Sequence, residues 1–220
     1  MSTNEKPILR SLNYLSSSYL ESAKILSKRC FEIEGDIHPG NRTKLMNEHK
    51  AYFYGSVFNC IAYLESYINE LFFDISEGNL YGINIEEKSV IQIQELWNLK
   101  IPRSASYRTT DKYQIILIIS NKQKLDKSKS PSQDVDFLIK LRNSLIHYEP
   151  EYIESAFKNT DAKLHKYQKF LENKIEINPF ATTLDNFYPT KIISYSFCQW
   201  AINSVSSYIK EFENKFFNKR

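Results

Sequence analysis

Two side chains near the middle of the chain have the types and spacing to cleave a phosphodiester. Arg142 keeps its charge at every working pH, and its planar fork matches a phosphate group. His147, five positions on, has an ordinary pKa close to neutrality, so it can take up and return a proton. Both lie in Arg142-Asn143-Ser144-Leu145-Ile146-His147, within an apolar stretch of helical spacing. If the substrate is RNA, the nucleophile is its own 2′-hydroxyl. Such a cleavage requires neither a metal ion nor a protein nucleophile, so no cofactor and no metal are expected.

A five-residue offset on a straight helix sets the two residues about 7.5 Å apart along the axis and about 140° apart in rotation. One chain therefore does not bring both groups easily onto one phosphate. A symmetric partner supplying a second pair would form a composite cleft. The spacing predicts that the motif helix runs from Asp134 to Glu149, because Pro150 disfavours helix at the residue before it. His147 would then sit in the final turn, where the negative end of the helix dipole favours imidazolium. By spacing alone the pair has a plainer reading, with Arg142 as a surface ion-pair residue and His147 as a helix C-terminal cap.

Other elements must position this stretch. Leu12, Leu15, Tyr19, Ala23, Leu26 and Cys30 recur every three or four residues and predict a helix over about 5–33. After a breaker cluster at 35–41, Val57, Ile61, Leu64, Ile68 and Leu71 form the seam of a long helix over about 43–75. A third helix is expected over 86–100, with Val90, Ile93, Leu96 and Trp97 on one side. Segment 113–120 fits either a short strand or a buried helix; helix is favoured because no second strand candidate is evident. Residues 121–133 are polar and lysine-rich and read as an exposed loop. A helix over 151–174 would bury Leu164, Tyr167 and Leu171. Pro189 suits the first turn of a last helix carrying Ile193, Phe197, Ala201, Val205, Tyr208 and Phe212. The expected architecture is an all-α bundle of long helices, a single domain over 1–220. Its core spans about 43–217, and the N-terminal helix packs on it.

The segment Leu141 to Glu151, LRNSLIHYEPE, resembles the signature of the HEPN family, an arginine and a histidine separated by four to six residues. Polar Asn143 follows the arginine, core-type Leu141 and Leu145 flank it, and an aromatic, an acid and a proline follow the histidine. Val57 to Phe72, VFNCIAYLESYINELF, looks like the family's long first core helix with its mid-helix acid, here Glu65. The last helix around Trp200 and Ala201 also fits, so the likeness covers roughly 45–215 in outline. The resemblance implies a helical bundle that dimerises along the motif helices. It further implies a metal-independent endoribonuclease, a toxin or anti-phage effector, with an antitoxin or regulatory protein as partner. Arg142 and His147 would be the catalytic pair and Asn143 an auxiliary polar residue, with Glu65 and Tyr148 as further auxiliary candidates. One subfamily has a tyrosine two residues after the histidine, which its antitoxin modifies; here that place is Glu149, so control by that route is not expected.

Lys122, Lys124, Lys127 and Lys129 could bind RNA phosphates or simply form a solvated loop. Tyr52, Phe53, Tyr54 and Phe58 could stack on bases, although helical spacing favours core packing. His38, His49 and His165 lack partners at metal-ligand spacing and read as surface residues. Only 5 glycines and 7 prolines in 220 residues argue against a turn-rich β fold. A net charge of +3 permits an anionic partner without demanding one. Cys30, Cys60 and Cys198 form neither a disulfide framework nor a zinc spacing, which suits a reducing cytoplasm. No signal-peptide stretch opens the chain, and the aliphatic run from Ile115 to Ile119 is too short to span a bilayer. An RNase is the first expectation. The alternative is a catalytically silent module of the same type binding RNA, a nucleotide or a partner protein, and a plain helical scaffold is third.

Overall fold

The computed structural model describes residues 11–38, 40–103, 107–150 and 167–217. The chain is an all-α bundle, with no strand among the described residues. Its helices are α1 (Ser16–Gly35), α2 (Arg42–Ser76), α3 (Glu87–Asn98), α4 (Thr109–Ile119), α5 (Ser132–Ile146), the single turn α6 (Gln168–Leu171) and α7 (Tyr195–Phe216). None of the described helices is long and apolar enough to cross a membrane.

The long helix α2 is the axis of the bundle. Its seam, Val57, Ile61, Leu64, Ile68 and Leu71, is buried as the periodicity requires. Helix α7 buries Phe197, Ala201, Val205, Tyr208 and Phe212 against it. Helix α1 runs along both. Gly55 permits the close approach of α1, since a Cβ there would stand 2.9 Å from Leu26 Cδ1.

Helix α1 begins at Ser16, later than the apolar repeat predicts, and Leu12 and Leu15 are exposed. The reason lies on α2. Glu70 Oε1 accepts the backbone N–H of Leu15 at 2.7 Å and of Ser16 at 2.9 Å. Its Oε2 accepts the Ser16 hydroxyl at 2.5 Å. A carboxylate at a helix start satisfies donors that have no partner within the helix and suits the positive end of the dipole.

Segment 113–120 is helical, as α4 takes in all but its last residue. Tyr113 explains why. It is fully buried, donates to the Leu64 carbonyl at 2.7 Å, and lies 5.1 Å from the Tyr208 ring and 4.9 Å from the Phe212 ring. Helix α4 also buries Ile116, Leu117, Lys112 and Gln114, a set of faces that only an enclosed helix presents. The lysine-rich stretch after it is anchored rather than loose. Gln114 donates to the Leu125 carbonyl at 3.0 Å and accepts the Leu125 N–H at 3.2 Å, and the Leu125 side chain is buried.

Pro189 does not open the last helix. It sits in a kinked turn, Phe187–Lys191, whose Tyr188 is extended. Ser194 opens α7 instead, its hydroxyl accepting the Phe197 N–H at 3.2 Å. Of the helix expected over 151–174, residues 151–166, with Leu164, lie outside the described residues. The remainder is the short α6 and a turn, with Tyr167 and Leu171 buried.

Candidate functional site

Helix α5 carries the motif. Val135, Leu138 and Leu141 are buried, while Leu145 is only half-buried. Its start is pinned by Asp134, which accepts the Ser130 hydroxyl and pairs with Lys174. The Lys174 ammonium also lies 3.8 Å from the Phe170 ring centroid. Phe137, one turn on, stacks on Phe170 with centroids 4.0 Å apart. These contacts fix the rotation of α5 and hence which way Arg142 leaves it.

The helix ends at Ile146, three residues before the expected end. His147 is its C-cap, with φ −102° and ψ 47°, and its N–H is bonded to the Asn143 carbonyl at 2.9 Å. Pro150 restricts the residue before it, but the chain leaves the helix already at the histidine. His147 still closes the last helical hydrogen bond, so its Cα keeps roughly the helical position and the divergence from Arg142; its side chain is exposed. Asn143, Tyr148, Glu149 and Pro150 are exposed too. Among the described residues, neither Arg142 nor His147 has a side-chain hydrogen bond or an ion pair within 4.0 Å.

Arg142 is half-buried and faces α2. Burial pushes its guanidinium pKa down, and the Glu65 carboxylate nearby pushes it back up. The group stays charged, since arginine holds its proton far above neutrality. Glu65 itself is bonded on α4. Lys112 donates to Oε1, and Thr109 donates to Oε2 at 2.6 Å. Asn69, one turn along α2, reaches the same carboxylate at 3.5 Å. Thr110 donates to Asp136 of α5 at 3.0 Å and ties the start of α4 to the motif helix. The structure thus gathers Glu65, Lys112, Thr109 and Arg142 from three helices.

Lys112 and Thr109 were not among the sequence candidates. One signal was available: Lys112 stands at the edge of the apolar run of α4, and a lysine in such a place needs a partner if it is buried. Which acid it would find was not legible, because Glu65 is 47 residues away.

An aromatic group surrounds the end of α5. Tyr188 donates to the Ser144 hydroxyl at 2.9 Å. The Tyr148 ring lies 6.2 Å from that of Tyr188, and Tyr54 is close enough for its phenol to be influenced by Tyr148. Burial raises the Tyr54 and Tyr188 pKa values. Phe53 is fully buried, whereas Tyr52, Tyr54 and Phe58 are half-buried.

The loop lysines are not equivalent. Lys127 pairs with Asp111 at 2.8 Å and Lys129 with Asp126 at 3.5 Å. Lys124 is exposed, and Lys122 borders a surface cavity with Glu211, Asn214 and Lys215. His49 is a correction: it is fully buried rather than at the surface. Its Nε2 lies 2.7 Å from Glu34 Oε1, an oxygen that also accepts the Tyr195 N–H at 2.5 Å. The pair closes the junction of α1, α2 and α7. His38 is exposed, and His165 lies outside the described residues. Cys30, Cys60 and Cys198 are free thiols in the core. Burial, reinforced by neighbouring Cys30, pushes the Cys198 thiol pKa well up. Among the described residues no group of three or more His, Cys, Asp or Glu has the geometry to hold a metal ion.

The chain matches no family model, no curated protein and no solved structure.

Proposed function

We propose that the chain is a HEPN-type endoribonuclease that cleaves RNA without a metal ion. The observation that carries this reading is the state of Arg142: a half-buried guanidinium, beside a carboxylate that is bonded elsewhere, on a helix whose next turn ends in an exposed histidine. A cation left without an anion inside a protein favours an anionic ligand. The substrate's 2′-hydroxyl attacks the adjacent phosphorus, forming the 2′-O–P bond as the P–O5′ bond breaks. His147 takes the proton from the attacking hydroxyl or delivers one to the leaving oxygen, and solvent water makes the other transfer. Arg142 stabilises the charge growing on the phosphate oxygens. Asn143 and Tyr148, exposed on either side of His147 in sequence, are the polar and aromatic groups nearest to a bound nucleotide. Glu65 acts behind Arg142, and Lys122 and Lys124, the two loop lysines outside the ion pairs with Asp111 and Asp126, are the ones open to further phosphates.

A second reading is a silent module that binds RNA, a nucleotide or a partner protein through the same surface. The observation favouring it is that no described residue orients the His147 ring by a hydrogen bond. A twofold partner whose motif helix faces this one would supply that group, so a homodimer is part of the first reading. An active RNase of this kind harms its host. A role as a toxin or anti-phage effector held by an antitoxin or regulatory protein follows, in a cytoplasm that keeps the three thiols reduced. The test is a gel of single-stranded RNA incubated with the protein and with His147→Ala, in excess chelator. The reading expects products ending in a cyclic phosphate with the parent protein alone. Products with 3′-hydroxyl ends, or equal cleavage by both proteins, would sink it.

A further inference from the structure

Lys112 is 2% exposed, and a lysine taken that far from water must be paired or lose its proton. It is paired with Glu65, and its ammonium also lies 3.5 Å from Asn69 Oδ1. Thr109, a turn earlier on α4, occupies the second oxygen of Glu65. Both carboxylate oxygens are thus held by α4. Arg142 approaches from α5, and among the described residues its guanidinium has no carboxylate within 4.0 Å. Glu65 is within electrostatic reach of that guanidinium, and a carboxylate free to meet an arginine frequently closes on it through two parallel hydrogen bonds. Had Glu65 done so, the carboxylate would occupy the guanidinium, and the unpaired charge would sit on buried Lys112, out of reach of a phosphate. As built, two cations share one anion, and the cluster keeps a net charge of one.

We infer that Lys112 is a positioning residue: together with Thr109 it holds the Glu65 carboxylate on α4, which keeps the Arg142 guanidinium unpaired and open to one phosphate group of the substrate. The choice of a phosphate rests on the proposed function; the competition between Lys112 and Arg142 for Glu65 does not. The Glu65 side chain is 39% exposed, so it has room to move once released. Removal of Lys112 then turns Glu65 from a neighbour of Arg142 into its partner. Neutralising Glu65 in the same protein reverses the effect. A purely structural ion pair has no reason to act on Arg142 in this order.

The test uses two readouts on the full chain. The first is labelling of Arg142 by phenylglyoxal, followed by peptide mass against exposed Arg108 as reference. The second is cleavage of a single-stranded RNA oligonucleotide. Lys112→Met should slow Arg142 labelling by about fivefold or more, as the guanidinium becomes paired. Cleavage should fall about tenfold, mainly through KM. Lys112→Met/Glu65→Gln should return labelling to the parent rate and recover most of the KM loss. Thr109→Val, which keeps shape and both charges, should shift both readouts part of the way and be rescued by Glu65→Gln; it serves if Lys112→Met alone does not fold. Unchanged labelling in the folded Lys112→Met and Thr109→Val variants, or no rescue by Glu65→Gln, overturns the inference. If labelling follows the expected order while RNA is cleaved by none of the proteins, the positioning role stands and the ribonuclease reading falls.

Discussion

Tyr188 donates its hydroxyl to Ser144 at 2.9 Å, and Ser144 in turn donates to the Leu141 carbonyl at 2.9 Å. The relay ties the last turn of α5 to the segment leading into α7. It also holds the Tyr188 ring 4.9 Å from Tyr167 and 6.2 Å from Tyr148. Tyr188→Phe keeps the ring and removes the bond, so we expect a loss of about 1 kcal/mol in urea unfolding. RNA cleavage should fall only a few-fold, since the turn loosens without losing a reacting group. An unfolding curve identical to the parent's would show that the relay contributes nothing.

Arg142→Ala and His147→Ala should each lower RNA cleavage by about a hundredfold or more, the usual cost of a lost transition-state contact. Exposed His147 should leave stability within about 0.5 kcal/mol of the parent, and half-buried Arg142 should cost slightly more through its stem. Asn143→Ala should cost less activity than either. Full activity in both folded variants would remove them from the site.

If the site is composite, two inactive variants can complement. Arg142→Ala and His147→Ala, unfolded together and refolded as a mixture, should recover part of the cleavage that each lacks alone. Sedimentation should give a dimer at the concentrations where RNA is cut. A monomer that cuts RNA would leave a one-chain site.

The lysine loop offers a test of the clamp formed by Gln114 on Leu125. Gln114→Ala removes two buried hydrogen bonds and leaves the Leu125 backbone without partners, a cost of about 1–3 kcal/mol. Trypsin should then cut after Lys122, Lys124, Lys127 and Lys129 faster than in the parent. Equal cutting rates would mean that Gln114 does not order the loop.

Alkaline stability follows from the tyrosines around α2, α4 and α7. Burial pushes the Tyr63 phenol up to about 12. It raises Tyr67, Tyr113 and Tyr208 further still. The folded chain keeps these protons where the unfolded chain, at the ordinary value of 10.0, releases them. Their contribution is therefore intact below about pH 10 and is lost as pH rises through the folded values. Phenolate absorbance should appear together with loss of helical circular dichroism above pH 10. Full ionisation of every tyrosine below pH 11 with native dichroism would contradict this.

The elements of the fold were legible where information is local. Apolar residues every three or four positions placed α2 and α3 within one or two residues and marked the buried stripe of α7, though not its start, because each helix must turn a continuous stripe to the core. The Arg142–His147 spacing is equally local and can be read from the chain alone. What the tertiary structure decided are the partners of polar groups. Glu70 starts α1 from 54 residues away. Glu34 and His49 meet beneath Tyr195, and Lys112 takes Glu65 away from Arg142. A charge inside a protein must find an opposite charge or a donor, and which one depends on how helices cross. Helix periodicity records which face turns inward, but not which residue waits on the neighbouring helix. The sequence by itself therefore determined an all-α chain with the Arg142–His147 pair on one helix, and helix packing decided that Arg142 stands near an acid already held by another cation.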